Sequence, residues 1–580
     1  EYLAEAWDCM LTNDEHCWGL ACPGGPGMDS ALAQHNEFAY RAAAIAHDVS
    51  TKSLYEIADR IEVKSEGYHI ALFNPLADSR TDVAIVPFAP FDPCSRPMKP
   101  VPQPDGSVLY YNFPVTSHGL QGVPMELLES GVRVIDAATG QEAPSGIYEL
   151  PDAFAPVPYA AYRYNISQHA PQFRYDLRIL AADIPPLGWK LFRVEPGRLG
   201  AGTGGMKPSG VLESGFYRLQ IDPETGRVES LLDKTLGREL LESGSSASLG
   251  QLFVRSSLTS QTTLSESHAV IPGDSGEVSS SLLVESSAPG FPRIRTEYRL
   301  YHHFKRLDVS IRVLKDPEGH LETFVAFPFN VSSPKFRHDA TLSQIRPGID
   351  QFPGSNTDYY SIQNWAEVRN TEFGIALSSL DAPVMQFSQN WPLYISQAHH
   401  GVTPKNFDHP FHSADAFTQG AMYSLVLLNN YRTNFSPYQS GDFLFRYSIT
   451  SYSSEGDGHP ARDFGAVIHY PLQSAGINGP HRGKLPPVAS WVHLEPSSLT
   501  LLALKLAEDL NGVIVRVQET EGKSTEGRIC IPGFLLEQAV ETNVVEEDRC
   551  GLAVTNGGVD FPVEPWQVVT LRIRAGIKGS

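Results

Sequence analysis

Apolar positions along this chain change their spacing once, near Gly67. Ahead of it, Phe38, Ala42, Ile45 and Val49 recur three and four residues apart, and Leu54, Ile57 and Ile61 continue the series. A period of about 3.6 predicts helix, and the alanines crowded into the same stretch suit a packed helix. Residues 1–64 are expected to form a helical domain, a bundle of two or three helices with 20–30 as its loop. After Gly67 the apolar residues come in short runs punctuated by Gly, Pro, Asn and Asp. Tyr68 to Leu76 reads as a strand ending in a turn at Asn74-Pro75, and Asp82 to Phe88 as the next strand. The pattern then holds to the C-terminus, with no return of long amphipathic helix.

Two stretches rich in small and turn-forming residues, Pro196 to Gly210 and Ser453 to Pro460, divide the rest of the chain. The expected order is a small β domain over 65–197, a large antiparallel β-sandwich over 211–453, and a C-terminal β domain over 461–580. Strands are expected at Phe216 to Ile221, Thr296 to His303, Asp308 to Val313 and Phe443 to Thr450. About 250 residues of strand in one block suit a large sandwich better than a small barrel. The fold class is mainly β with a short helical start.

Composition narrows the function classes. The 580 residues are 41% hydrophobic, which makes the chain globular. A net charge of −21 argues against nucleic acid or an anionic membrane surface as partner. No run of about 18 apolar residues is present to span a membrane as a helix. The chain opens on Glu1 inside helical pattern, so the compartment is unreadable. The six cysteines include no C-x-x-C pair, which disfavours a thiolate zinc site. Phosphate-binding loops, nucleophile elbows and H-E-x-x-H are missing as well.

Three clusters carry candidate chemistry. Asp14-Glu15-His16 stands before the Gly/Pro-rich stretch Pro23 to Gly27. His16 could ligate a metal with Asp14 and Glu15 as supporting carboxylates, or the three could be polar residues at a helix end. A catalytic metal needs about three protein ligands, so His16 reads as half of a site whose remainder is missing. His399, His400, His409 and His412 share a loop with Gly401, Pro404 and Pro410, and their spacing matches no standard zinc pattern. The third cluster is aromatic and polar. It comprises Asp350 to Ser355, Asp358, Tyr359 and Tyr360, Gln363 to Trp365, and a similar turn from Asn429 through Arg432 to Asn434. Sugars are held by aromatic faces beside short polar groups. Sandwich-core aromatics next to ordinary turns would read the same way.

The order of these segments resembles the middle and C-terminal regions of family 38 glycoside hydrolases, the retaining α-mannosidases. The resemblance covers nearly the whole chain. Asp14-Glu15-His16-Cys17-Trp18-Gly19 is similar to an Asp-Glu-His-Thr-Trp-Gly stretch of the family, with Cys17 in place of Thr. Ala71-Leu-Phe-Asn-Pro-Leu and Ile184-Pro-Pro-Leu-Gly-Trp resemble the opening and closing of the first β domain. Leu212-Glu-Ser-Gly-Phe-Tyr, Asp222-Pro-Glu-Thr-Gly-Arg, Phe324-Val-Ala-Phe-Pro-Phe and Asn429-Asn-Tyr-x-Thr-Asn-Phe resemble parts of the large sandwich. Ala503-Leu-Lys and Arg516-Val-Gln-Glu resemble the C-terminal unit. The resemblance implies a galactose-mutarotase-like sandwich, an α-mannoside substrate and zinc. It puts the nucleophile, the acid and most zinc ligands on an N-terminal α/β barrel upstream of Glu1. By motif, His16 becomes the last zinc ligand, and Tyr359, Trp365, Arg432 and Asn434 become substrate-contact candidates. Arg432 stands where the family usually has Trp. This chain alone is then expected to be inactive. The rival classes are a non-catalytic carbohydrate-binding or scaffold protein, and a polysaccharide lyase, for whose helical toroid sixty-odd helical residues are too few.

Overall fold

The computed structural model describes residues 2–15, 25–87, 101–102, 108–109, 127, 130–149, 175–197, 210–391, 412–429, 437–455 and 458–577. Three α-helices occur among them, and the rest of the regular structure is almost all strand. Helix α1 spans Tyr2–Asn13 and α2 spans Pro26–Ala58. The expected loop over 20–30 ends sooner, because Gly25 takes φ +94° and Pro26 follows. Proline suits a first helical position, where its missing N–H is not needed and its φ is preset. The sequence period emerges as contacts: Ala42 and Ile45 of α2, flanked by Phe38 and Val49, pack against Ala6 and Cys9 of α1. Small side chains on α1 allow the approach, and Arg41 pairs with Glu5 at its edge.

The chain divides into two compact units. One comprises residues 1–49, 205–273 and 279–469; the other comprises 50–204, 274–278 and 470–580. In the second unit the strand Val63–Asn74 lies between Gln473–His481 and Gly188–Pro196, antiparallel to both. The strand Gln473–His481, expected in the C-terminal β domain, is thus hydrogen-bonded into the sheet of the small β domain. A three-stranded sheet of Arg80–Pro87, Tyr175–Ile184 and Ser145–Glu149 shares its core through Ile70, Leu72, Ala84, Leu177 and Phe192. The Asn74 turn forms as expected: its Nδ2 donates to the carbonyls of Asp78 and Pro185, and its Oδ1 accepts from Leu76 N–H. Residues 493–577 make a smaller pair of antiparallel sheets around Val515, Val517, Ile529, Phe561 and Leu571.

The first unit is built on a large sandwich. A nine-stranded and a six-stranded antiparallel sheet pack face to face. Val309, Ile311, Ile375 and Ile449 from one sheet meet Val254, Val325, Phe327 and Met422 from the other. A four-stranded sheet starting at Val211–Glu213 adds Leu219 and Leu231 to the same core. After the strand Gly441–Ser453 comes helix α3, Pro460–His469, where the sequence pattern had placed the start of a β domain. Its buried residues Ala461, Gly465 and Ile468 fall on one face, and that face covers Trp365.

Candidate functional site

The strand Leu321–Phe327 is buried at every position, so both of its faces are covered. It carries one charged side chain, Glu322, which is 1% exposed. On the neighbouring strand Leu252–Ser256, Arg255 stands directly opposite in register, which puts both side chains on one face of the sheet. Arg255 Nε and Nη2 converge on Glu322 Oε2 at 2.7 and 2.6 Å. The rest of the guanidinium reaches off the sheet, with Nη1 donating to Asn390 Oδ1 at 2.8 Å and Nη2 to the Trp391 carbonyl at 2.9 Å. A buried charge needs such saturation.

Residues 389–391 fold back over this face after Ser388, whose φ is +72°. Gln386 holds them there, donating to the carbonyls of Asp358 and Trp391 and accepting from Asn390 Nδ2 at 2.8 Å. The Trp391 ring stacks on His412 with centroids 3.7 Å apart, and His412 N–H donates to Thr357 Oγ1. Beside the ion pair the face is aromatic. Phe253 and Phe324 stack at 5.3 Å, Tyr423 meets Phe253 edge-on, and half-buried Tyr359 packs on the same group. Burial pushes the Tyr423 phenol up from its ordinary pKa.

Asn429 lies at the end of the neighbouring strand Ala421–Leu428. Its backbone is pinned, with its N–H donating to the Leu321 carbonyl and its carbonyl accepting from His320 N–H. Its side chain is not: the residue is 1% exposed, yet neither Nδ2 nor Oδ1 has a hydrogen-bond partner. A buried carboxamide left unpaired costs roughly 1–3 kcal/mol, and it offers two donors and an acceptor to a polar ligand.

The sequence-predicted residues scatter. His16, Arg432 and Asn434 lie outside the described residues, as do His399, His400 and His409. Asp14 and Glu15 are exposed where α1 ends, with their backbone N–H groups donating to Met10 and Thr12 carbonyls. Tyr359 does reach the polar-aromatic face. Trp365 does not offer a ring to solvent: it is 2% exposed and packed among Ala376, Ala461, Tyr452 and Phe464. The expectation of a substrate contact there is corrected on that ground, because stacking on a sugar needs an open face. Phe352 of the same predicted cluster is 89% exposed. Sequence reasoning missed Arg255, Glu322, Gln386 and Asn390. The available signal was a lone charge inside each of two apolar strands, Leu-Phe-Val-Arg and Leu-Glu-Thr-Phe-Val-Ala-Phe.

A second buried polar group sits in the nine-stranded sheet. The Asp339 carboxylate accepts the backbone N–H groups of Gln363, Asn364 and Trp365 at 2.9–3.1 Å. Burial nevertheless raises its pKa, with those hydrogen bonds acting in the other direction. Adjacent His338 is 3% exposed, stacks on Phe387, and leaves Nε2 unpaired. Burial pushes its pKa down.

Chemically the sandwich face suits holding rather than cleaving. Glu322 is tied to Arg255, and the remaining groups are amides, hydroxyls and rings. Among the described residues no group of three or more His, Cys, Asp or Glu side chains is placed to hold a metal ion. The described part of the chain therefore does not by itself fit the zinc that the resemblance implies.

Residues 212–382 match the C-terminal domain of glycosyl hydrolases family 38, and residues 498–571 match the family 38 C-terminal beta sandwich domain. No curated protein matches the chain. An alpha-mannosidase from Enterococcus faecalis V583 aligns with 98% of this chain at 14% identity and a TM-score of 0.66, over 63% of its own length. A family 38 protein from Enterococcus faecalis aligns with 98% of this chain at 14% identity and a TM-score of 0.63, over 65% of its own length. A galactose mutarotase-like protein from Lactobacillus casei ATCC 334 is 14% identical and covers 42% of this chain and 99% of its own, with a TM-score of 0.26. At 14% identity the likeness to the first two is one of fold, and the chain spans less than two thirds of their length.

Proposed function

We propose that this chain, which carries the two C-terminal domain types of glycosyl hydrolase family 38, serves an α-mannosidase-type glycoside hydrolase that removes terminal α-mannosides. The observation that carries the reading is the alignment of 98% of the chain with an alpha-mannosidase, together with both family matches. In this reading the reacting carboxylates belong to the part of such an enzyme that the chain does not match. The expected course is double displacement. One carboxylate attacks the anomeric carbon while an acid protonates the leaving oxygen, and water then releases the sugar with its configuration retained.

What this chain contributes is position. The face built on Arg255 and Glu322 leaves aromatic surface half-open at Tyr359 and Tyr423, which rest on the buried rings of Phe253 and Phe324. Apolar rings with a few fixed polar groups are the usual means of orienting a sugar. His16 is proposed as one zinc ligand of a site completed by residues outside this chain. The reading is tested by proton NMR of the intact parent turning over an aryl α-mannoside. Release of α-mannose as the first product supports it, whereas β-mannose first, or no release, overturns it. A non-catalytic carbohydrate-binding protein is the second reading, favoured by the mutual neutralisation of Arg255 and Glu322. It predicts mannoside binding by the intact parent without turnover.

A further inference from the structure

Trp566 stands at a turn position that suits glycine. The chain between strands Gly558–Val563 and Val568–Ile577 closes as a β-turn over Glu564 to Gln567, with Gln567 N–H donating to the Glu564 carbonyl. Pro565 presets the second position of the turn, and Trp566 follows at φ +62°. Turns with positive φ at that place take glycine or asparagine there, and a bulky residue is an outlier. A buried carboxylate holds it. Glu519 is 0% exposed, and its Oε2 accepts the N–H groups of Trp566, Gly522 and Lys523 at 3.0, 2.8 and 3.2 Å. Its Oε1 accepts Glu521 N–H at 2.7 Å. The loop after strand Val513–Glu519 and the Trp566 turn are thereby tied side by side. The indole lies on Gly522, where a Cβ would come within 2.8 Å of Cζ2 and 2.9 Å of Cε2 and Nε1. Backbone therefore backs one face of the ring, and the residue stays 44% exposed. The two loops also carry polar groups: Ser524 Oγ donates to Glu564 Oε2 at 2.9 Å, and Lys523 pairs with Glu521.

We propose that Trp566 is the floor of a carbohydrate-binding site that takes one ring of a β-linked oligosaccharide with equatorial ring substituents. Strain held in place by the surrounding structure clusters at sites that bind, and here a buried carboxylate and a glycine fix a ring that the turn itself disfavours. Pyranoses have apolar C–H faces and hydroxyl rims, so a flat indole with Ser524, Glu564 and Lys523 on the same loops suits one. The ring also chooses among sugars. A β-linked glucose, N-acetylglucosamine or mannose presents axial hydrogens at C1, C3 and C5 on one face, with no axial oxygen there. An α-mannoside has an axial oxygen on each face, at C1 and at C2, and cannot lie flat on the ring. This ligand preference is independent of the α-mannoside activity proposed above. A protein partner fits less well. The open indole offers on the order of 100 Å², against roughly 800 Å² from each partner of a stable interface. The net charge of −21 disfavours an anionic ligand surface.

The experiment is affinity electrophoresis of the 580-residue chain in native gels containing hydroxyethylcellulose, a soluble β-1,4-glucomannan or a branched α-mannan. The two β-1,4-linked polymers are expected to retard the chain, and the α-mannan is expected to leave it unretarded. Trp566→Asn suits the positive φ and removes the ring. Its dissociation constant, read from the retardation, should rise at least about 10-fold. Trp566→Tyr keeps an aromatic face and should stay within about 5-fold of the unsubstituted chain. Gly522→Ala keeps the indole but puts a methyl group beneath it, and should weaken binding in the same direction as Trp566→Asn. Phe352→Asn removes an aromatic that is 89% exposed in the sandwich unit and should leave retardation unchanged. No retardation in either β-1,4-linked gel overturns the proposal, as does retardation that Trp566→Asn leaves intact. Equal retardation by the α-mannan overturns it too, because the open face would then not be what selects the sugar. Self-association of the chain that Trp566→Asn abolishes would assign the ring to a protein interface and overturn the carbohydrate site.

Discussion

Replacing Glu322 tests whether the sandwich face is built as described. Its side chain is 1% exposed and that of Arg255 is 8% exposed, so neither partner can be rescued by water. Breaking a buried pair by removing one partner costs about 3–5 kcal/mol. Glu322→Ala should fall near the lower end, because Arg255 keeps Asn390 Oδ1 and the Trp391 carbonyl. Arg255→Met should fall near the upper end, since it strands a buried carboxylate and releases both of those contacts. Glu322→Gln retains an acceptor for the guanidinium and should cost about 1.5–3 kcal/mol, the worth of a hydrogen bond to a charged group. The double variant Arg255→Met with Glu322→Leu should cost less than Arg255→Met alone, because apolar replacement of a whole buried pair is often neutral. The chain has two compact units, so a single global unfolding free energy is ill-defined. The assay is therefore site-resolved amide hydrogen exchange on strand Leu321–Phe327 and on Gln389 to Trp391. Arg255→Met should raise exchange at both places, and Glu322→Gln chiefly in the strand. Single variants that each cost under about 0.5 kcal/mol would refute the buried pairing.

Gly465→Ala should destabilise α3 by up to about 2 kcal/mol in urea-induced local unfolding. A Cβ there would stand 2.9 Å from Trp365 Cβ and 3.1 Å from the Asn364 carbonyl, and overpacking of about 1–3 kcal/mol outweighs a helix-propensity gain of about 1; stabilisation would show that α3 does not press on Trp365. His338→Phe should flatten the pH dependence of sandwich stability. The folded-state pKa of His338 is held below its ordinary 6.5 by burial, so the unfolded chain binds protons first and stability falls as pH drops from about 6.5 toward the folded value. His469, also lowered by burial, should retain the remaining slope, and thermal melts at pH 7 and pH 5 are the measurement. In the intact parent, His16→Ala should lower zinc content and activity together while sandwich melting stays unchanged; full zinc by elemental analysis in the variant would remove His16 from the ligand set.

Local order was legible where it depended on neighbours in sequence. The series Phe38, Ala42, Ile45 and Val49 became the α1–α2 contact, and Asn74-Pro75 became the turn it signalled. Helix α3 was missed because ten residues with Gly465 at the centre give little periodicity; the glycine is there to admit Trp365, which is distant in sequence. The same distance explains the error at Trp365 itself. An aromatic among Gln363 and Asn364 reads as exposed, and only α3, about a hundred residues later, covers it. Arg255 and Glu322 are 67 residues apart. Each looks like an ordinary charge until two strands are laid side by side, so the polar-aromatic face was visible from sequence only at Tyr359. The motif reading of family resemblance succeeded because it used segment order, which survives at 14% identity when individual positions do not.

The proposed activity is measured most directly as release of chromophore from an aryl α-mannoside, with the intact parent and the 580-residue chain assayed side by side against the matching β-mannoside and α-glucoside. The parent is expected to turn over the α-mannoside and to do little on the other two, and the 580-residue chain alone is expected to release none. Turnover by the 580-residue chain that is lost on mutating one of its own carboxylates would contradict the assignment, as would an intact parent that leaves the α-mannoside uncut.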